Sequence, residues 1–232
     1  MRITILIICL LVSSLVRADI FPPVSDLAKA ASYTEQKNYE KAIEHYKVAL
    51  KSLDGSTLYS AIEYETRYSY GLMLNEYTKD NHPEYIKVAR KQFEWVLNYL
   101  EKSSELLSTR AMALSTLANT YQQEAGYTEN EDEFYQLLEK AYSIYKESAA
   151  GLEKNKDWQN LAYTYYNLGE TAEWYGDLPE AIKWLEKAVE LDKIHGFEVD
   201  LKEDSAYLAR LKTKHEEMLN KSMQPTANAA AD

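Results

Sequence analysis

The segment 162–195 carries the pattern that most restricts how this chain can fold. Within it, very small side chains recur at helical spacing opposite large ones, on either side of a Gly-Asp turn. Two short helices can pack closely only where tiny side chains face bulky ones, so the segment predicts a pair of antiparallel helices. Such a pair cannot bury its apolar face alone and needs stacked neighbours. The pattern is carried by Tyr165, Leu168, Gly169, Gly176, Asp177, Ala181, Leu185 and Ala188.

Three weaker copies of the second half of this pattern lie upstream. In each copy a small residue is followed by a bulky one four positions on and by another short one seven positions on. The first residues of the four copies lie 47, 52 and 40 residues apart, so the repeats are irregular. The surplus residues fall in segments 79–83 and 126–130, which contain the helix breakers Pro83 and Gly126. The copies are Ala42, Tyr46 and Ala49; Ala89, Phe93 and Val96; Ala141, Tyr145 and Ser148; and Ala181, Leu185 and Ala188.

This pattern resembles the tetratricopeptide repeat, whose period is about 34 residues. The resemblance covers residues 25–195 and is most complete in the last copy, whereas the first copy has Lys37-Asn38 in place of Gly-Asp. It implies an all-α fold, a right-handed superhelical stack of about four antiparallel helix pairs. A C-terminal capping helix is predicted after the last pair, because an apolar stripe with a charged outer side follows it. The stripe consists of Tyr207, Leu208, Leu211, Met218 and Leu219.

Several residues mark the expected ends of helices. Asp177 and Thr128 are predicted N-caps, each followed at capping-box spacing by an acidic residue. Gly126 and Gly196 follow helical stretches and are predicted to end them in the left-handed conformation. These signals favour helices throughout.

The amino terminus has the three parts of an export signal. A Met-Arg start precedes an apolar run over residues 3–12 and a small-residue segment that ends at Ala18. This predicts a signal peptide over residues 1–18, cleavage after Ala18, and a periplasmic or secreted mature protein. A retained membrane anchor is the alternative, but we expect no stable one because the apolar run is short for a bilayer span.

The rest of the chain divides into two predicted parts. Residues 19–221 have no Pro-rich or Gly-rich linker and are assigned to one helical-repeat domain that includes the capping helix. Residues 222–232 have no apolar periodicity and nothing large to bury, so we predict a disordered tail.

Charge and motif content exclude several classes of function. The chain has 37 acidic and 26 basic residues, a net charge of −11. Loss of residues 1–18 would leave 37 acidic and 24 basic residues, a net charge of −13, and no cysteine. A chain this acidic repels phosphate, so we predict no nucleic-acid partner. The four histidines lack metal-site spacing and no nucleophile or phosphate-loop motif is present, which predicts no enzyme, no cofactor and no metal.

The resemblance also implies where a partner would bind. In tetratricopeptide proteins the first helices of successive repeats line a concave groove that holds peptides. Asn167 matches a position where the family often holds a peptide backbone through one donor and one acceptor; a solvent-facing role is the alternative. The aromatic and acidic lining suits a partner with basic or aromatic residues. The predicted peptide-binding residues are Tyr163, Tyr166, Asn167, Glu170, Glu173 and Asn119, with Trp174 as a further candidate.

Together these features predict a non-catalytic exported adaptor that binds a protein or peptide in the groove of a helical-repeat domain. The alternative is a periplasmic receptor for a small molecule or glycan that stacks on the tyrosine and tryptophan rings of that groove. Self-association through an uncapped end of the stack is a third possibility.

Overall fold

The computed structural model describes residues 22–54, 59–101 and 107–223. All regular secondary structure in these residues is helical, which confirms the all-α prediction. The predicted signal peptide and residues 224–232 of the predicted tail lie outside the described residues. No helix in the described part of the chain combines the length and apolar composition of a membrane span.

The described residues form nine α-helices and one 3-10 turn. Their bounds are α1, Pro22–Glu35; α2, Tyr39–Leu53; α3, Ser60–Thr78; the 3-10 turn, Pro83–Tyr85; α4, Ile86–Glu101; α5, Leu107–Ala125; α6, Glu131–Lys154; α7, Trp158–Tyr175; α8, Leu178–His195; and α9, Glu198–Met223. Consecutive helices pack on one another as α1 with α2, α3 with α4, α5 with α6 and α7 with α8. Because short connections join them, the members of each pair are antiparallel. The predicted four pairs and a tetratricopeptide-like repeat fold are confirmed.

The helices fall into two compact units. Among the described residues, the first unit contains α1 to α4 and the second contains α5 to α9. The single domain predicted over residues 19–221 is neither supported nor contradicted by this grouping and stays a prediction. Helix α9 continues to Met223, two residues beyond the predicted end of that domain.

Helix starts follow the predicted capping chemistry with one exception. Asp177 caps α8 as predicted, since its carboxylate accepts a hydrogen bond from the Glu180 backbone N–H at 3.0 Å. The prediction that Thr128 caps α6 is wrong. Asn130 is the N-cap, because its side-chain oxygen accepts from the Glu133 N–H at 2.9 Å. Thr128 instead donates through its hydroxyl to the Glu133 carboxylate at 2.8 Å.

Four helix ends close with a residue in the left-handed conformation. In each, the following backbone N–H donates to the carbonyl five residues earlier, at 2.9 or 3.0 Å, which satisfies a carbonyl that the helix leaves open. The prediction for Gly196 is confirmed. The φ angles are 56° at Lys37, 57° at Lys156, 93° at Gly176 and 72° at Gly196.

Gly126 does not end its helix in this way, so the prediction of a left-handed cap there is wrong. Its φ is not positive, and the glycine serves a different purpose. A Cβ atom at Gly126 would lie 3.3 Å from the Trp174 ring carbon Cη2. The missing side chain therefore leaves room for an indole from the next helix pair.

The small and bulky residues of the repeat pattern are buried in all four copies. Each of the twelve side chains in the second-helix signature is at most 5% exposed. A Cβ atom at Gly169 would lie 2.9 Å from Leu185 Cγ and 3.2 Å from the Ala181 carbonyl oxygen. The close helix contact predicted from the sequence is therefore present in the last pair.

Helix α9 covers the last pair with only part of its predicted stripe. Leu211 is fully buried, and Tyr207 and Leu208 pack partly buried beside it. Met218 and Leu219 are 54% and 48% exposed, so the prediction that they help to cover the stack is wrong. The reason is length: α9 has 26 residues and its neighbour α8 has 18, so the end of α9 extends beyond its support. The buried cluster under the cap consists of Ala172, Leu178, Ala181, Leu185 and Leu211.

Candidate peptide-binding face

Helix α7 carries five of the six predicted site residues. Leu161, Leu168 and Ala172 are buried and hold α7 in the second unit. A different side of α7 presents aromatic and acidic side chains, because residues three and four apart share one face of a helix. We call this surface the α7 face; its residues are Tyr163, Tyr166, Glu170, Glu173 and Trp174.

Asn167 lies outside this face. Its residue is 3% exposed, and its side-chain nitrogen Nδ2 has no hydrogen-bond partner among the described residues. Thr164 and Thr171, at helical spacing on either side, are also buried. Asn167 therefore belongs to a buried polar stripe of α7, and its role in binding a peptide backbone stays a prediction.

A polar seam joins α7 to α5, the first helix of the preceding pair. Ser115 and Thr164 share a hydrogen bond of 3.1 Å between their hydroxyl groups. Further along, the Gln122 amide donates to the Glu170 carboxylate at 2.8 Å. Two first helices of neighbouring pairs are thus held by side-chain hydrogen bonds, and Glu170 lies at the outer end of that seam.

The sixth predicted residue, Asn119, is in the same network. Its Nδ2 donates to the Tyr145 hydroxyl at 3.3 Å, and that hydroxyl donates to Gln122 at 2.9 Å. Complete burial raises the pKa of Tyr145 well above its usual range, so the phenol stays protonated. Tyr145 and Gln122 therefore link Asn119 to Glu170, and one hydrogen-bonded network contains both predicted residues.

The two predicted tyrosines differ in accessibility. Tyr163 is 53% exposed, whereas Tyr166 is partly buried with its ring centroid 5.3 Å from that of Tyr207 on α9. Burial, followed by the nearby Glu170 carboxylate, raises the pKa of Tyr166 to about 12. Tyr163 is thus the aromatic ring of the α7 face that a partner can reach most freely.

Glu173 is engaged by three donors from α9. The Tyr207 hydroxyl donates to its carboxylate at 2.7 Å, Arg210 donates two hydrogen bonds at 2.8 and 3.1 Å, and Lys214 donates at 2.9 Å. Burial alone would raise the pKa of Glu173, but the bonds from Arg210, Lys214 and Tyr207 outweigh it and hold the pKa at about 2. The side chain is only 12% exposed.

A cleft of about 450 Å³ lies between parts of α7 and α9. Four residues of the α7 face line it, and α9 supplies the other wall. Sequence reasoning missed the contribution of α9. The available signal was the spacing of Tyr207, Arg210 and Lys214, which places an aromatic hydroxyl and two cations on one side of that helix. The lining residues are Tyr166, Glu170, Glu173, Trp174, Ala206, Tyr207 and Arg210.

Further aromatic rings are exposed where the helices of the last two pairs turn. Tyr135 and Tyr175 are 40% and 52% exposed, and their ring centroids are 5.3 Å apart in an edge-to-face arrangement. Trp174, 38% exposed, packs over Gly126 near Tyr127, which is 42% exposed. Large exposed aromatic side chains in a group mark interaction surfaces more often than isolated ones do. This group extends the α7 face toward the turns.

The described residues offer no group of three or more histidine, cysteine or acidic side chains that could hold a metal ion. The carboxylates of the α7 face are instead satisfied by amide, hydroxyl and cationic donors. The chemistry available on this face is hydrogen bonding, ion pairing and stacking on aromatic rings.

Comparison with known proteins supports the repeat assignment. Residues 153–195, which contain α7 and α8, match the family model described as "Tetratricopeptide repeat". This match supports a protein of the tetratricopeptide repeat class. No curated protein matches the chain. Among solved structures, the crystal structure of BtubC (BKLC) from P. vanneervenii aligns with 14% identity and a TM-score of 0.48, over 88% of this chain and 82% of that one.

Proposed function

We propose that the second unit is a non-catalytic binding module that holds a protein or peptide on the α7 face. The observation that carries the proposal is the joint presence there of exposed aromatic rings and carboxylates, with Tyr163 53% and Trp174 38% exposed. Tetratricopeptide repeats generally mediate contacts between proteins, and the match over residues 153–195 adds support.

The partner that fits this face carries basic and aromatic residues. Aromatic rings attract cations through their π faces, and the chain as a whole has a net charge of −11. Glu170 is already held in place by Gln122, so it offers a carboxylate at low entropic cost. A cationic side chain placed between Tyr163 and Glu170 would contact both kinds of group.

Site-specific photo-crosslinking tests this proposal. A photoreactive phenylalanine analogue at Tyr163 should crosslink a discrete protein partner in the cell that makes the protein, and Glu170→Gln should reduce that product at least several-fold. The matched control places the analogue at Ile194 of α8, which is 65% exposed, with Glu190→Gln as the second change. Equal products from both positions, or none at Tyr163, would contradict the proposal.

The cleft between α7 and α9 favours one second candidate, a receptor for a small molecule or glycan. Its volume of about 450 Å³ lies in the range of small-molecule sites, and three aromatic rings line it. Such a ligand should change the fluorescence of Trp174, and a Trp174→Phe variant should lose that change. A fluorescence response to low-mass extract without a crosslinked protein would favour this receptor over the adaptor.

Export is part of the proposal for the whole protein. The charged, apolar and small-residue parts of residues 1–18 support a cleaved signal that leaves Asp19 as the first residue. The mass of the protein isolated from its own cell tests this, because cleavage after Ala18 and retention of the segment give different masses. Recovery of the uncleaved chain in the membrane fraction would support the anchor instead.

A further inference from the structure

Helix α9 carries side chains of the kind that we expect the partner of the α7 face to carry, and it places them against that face. Tyr207, Arg210 and Lys214 lie three and four residues apart, so they form one stripe along α9. All three donate to the single carboxylate of Glu173. An aromatic hydroxyl, a guanidinium and an ammonium group therefore converge on one predicted peptide-binding residue.

Apolar contacts accompany this polar stripe. Leu208 and Leu211, which neighbour Tyr207 and Arg210 in sequence, pack on the buried cluster that includes Ala172 of α7. The Tyr207 ring lies 5.3 Å from the Tyr166 ring, and the Arg210 guanidinium lies 4.7 Å from the Tyr207 ring. The surface under α9 therefore accommodates a complete amphipathic helix, with a leucine stripe beside a cationic one.

The attachment of α9 is weak for a helix of its length. Of its described side chains, only Asp204 and Leu211 are buried, whereas six residues of the shorter α8 are. One of those two, Asp204, is a carboxyl group that docks beside the buried carboxyl group of Asp192. Burying a second carboxyl group there opposes docking. The small number of buried side chains and the buried carboxyl pair both favour undocking of α9.

We propose that the surface around Glu173 is a helix-binding site, and that α9 occupies it as a replaceable intramolecular ligand. The partner that fits is an amphipathic helix with tyrosine, arginine and lysine at positions i, i+3 and i+7 and with leucine at i+1 and i+4. This inference rests on the proposed function, because it takes the ligand to be a protein segment. It adds that the segment is an amphipathic helix with these side chains. We call the bonds from Tyr207, Arg210 and Lys214 to Glu173 the latch.

Covalent linkage gives α9 an advantage over any partner in solution. A tethered segment competes at an effective concentration in the millimolar range. The apparent dissociation constant for a partner rises as the fraction of chains with an open site falls. Weakening the latch should therefore tighten binding in trans, even though no contact to the partner is added.

A fluorescent peptide that copies residues 198–223 tests the proposal directly on the full chain. Its binding, measured by fluorescence anisotropy, should be about tenfold tighter to the variant Arg210→Ala, Lys214→Ala than to wild type, because a loss of about 1.4 kcal/mol in the latch opens the site tenfold. The matched control is Lys202→Ala, Lys221→Ala, which removes two exposed cations from the same helix without touching Glu173. The control should bind like wild type.

Two further measurements keep the test independent of how the variants fold. A peptide with the changes Arg210→Glu and Lys214→Glu should fail to bind the Arg210→Ala, Lys214→Ala protein. Adding Glu173→Gln to that protein should weaken binding of the original peptide. Equal binding to all protein variants, binding of the charge-reversed peptide, or no binding to any variant would overturn the proposal. The crosslink at Tyr163 would be unaffected by that result, so failure of this inference and failure of the proposed function can be told apart.

Discussion

Asp192 on α8 and Asp204 on α9 place two carboxyl groups in the interior of the second unit, where the cap packs on the last helix pair. Their residues are 0% and 6% exposed. Burial and the neighbouring Asp192 raise the pKa of Asp204 to about 7, and burial together with Asp200 raises the pKa of Asp192. Ionising both carboxyl groups in a site with little water is unfavourable in free energy. The pair therefore holds a proton that the unfolded chain would release.

The protonation of this pair predicts how stability depends on pH. Because the folded pKa of Asp204 exceeds its unfolded value, near 3.8, stability from this group is complete below about pH 4 and is lost as pH rises through about 7. The asparagine of the variant Asp204→Asn cannot ionise. From pH 5 to pH 8 we therefore expect the free energy of unfolding of wild type to fall by about 2 kcal/mol relative to that of the variant. Urea unfolding at the two pH values measures this.

The control for this prediction is Glu217→Gln, further along α9. Its side chain is exposed, so its removal should leave the pH dependence close to that of wild type. Parallel pH profiles for wild type and Asp204→Asn would mean that the buried pair does not titrate in this range.

The sequence could identify the residues of the α7 face but not their partners. Helical spacing from Leu168-Gly169 was enough to place Tyr163, Glu170 and Glu173 on one helix. It could not show that α9 would cover Glu173, since that depends on how far the cap crosses the last pair. Asn167 lies on the side of α7 that packs against α5, where Ser115 and Thr164 bond although they are 49 residues apart in the sequence. Sites built from distant residues require the tertiary packing.

Among the helices, the contact between α7 and α8 is the one that most depends on a single residue type. In a solvated helix, Gly→Ala stabilises by about 1 kcal/mol. At Gly169 the new Cβ would lie 2.9 Å from Leu185 Cγ and 3.2 Å from a backbone carbonyl oxygen. We therefore expect Gly169→Ala to lower the free energy of unfolding by about 1–3 kcal/mol, as overpacking does. Chemical denaturation of the variant measures the change.

A surface substitution in a neighbouring helix separates packing from helix propensity. Ser143 is exposed on α6, so Ser143→Ala should be neutral or slightly stabilising, by at most about 0.5 kcal/mol. A gain of stability in Gly169→Ala similar to that in the control would show that α7 and α8 can separate to admit the methyl group, and the tight-contact explanation of the repeat would be wrong.

Helix order and pairing could be predicted because each pair carries its own local signals. The turn chemistry could be predicted less well, since different residues produce the same geometry. Lys37 and Lys156 take the left-handed conformation that Gly176 takes in the last pair. A lysine in this conformation costs about 1–2 kcal/mol relative to a right-handed one, so tertiary packing must impose it. From the sequence alone, glycine is expected at this position. The first repeat, which has Lys37 there, therefore matched the family pattern less well than its structure does.

Within the second unit, stability falls toward the end that has only one neighbour. Each pair of a repeat protein is stabilised by the pairs on both sides, whereas among the described residues α9 packs mainly on α8 and also contacts α7. Beyond Leu211 no described side chain of α9 is buried, and Met218 and Leu219 are about half exposed. A helical segment of this length without tertiary support is marginal in water. The second unit should therefore combine a firmly folded body with a labile end.

Amide hydrogen exchange measures this difference directly. We expect amides of residues 213–221 to exchange within about tenfold of unprotected rates, and those in the centres of α7 and α8 to be slower by about a thousandfold or more. In the variant Arg210→Ala, Lys214→Ala, amides of residues 201–212 should exchange about tenfold faster than in wild type, because the latch opens tenfold more often, while α7 stays protected. If residues 213–221 proved as protected as α8, they would be packed against another surface in solution, and α9 could not be the exchangeable element on which access to Glu173 depends.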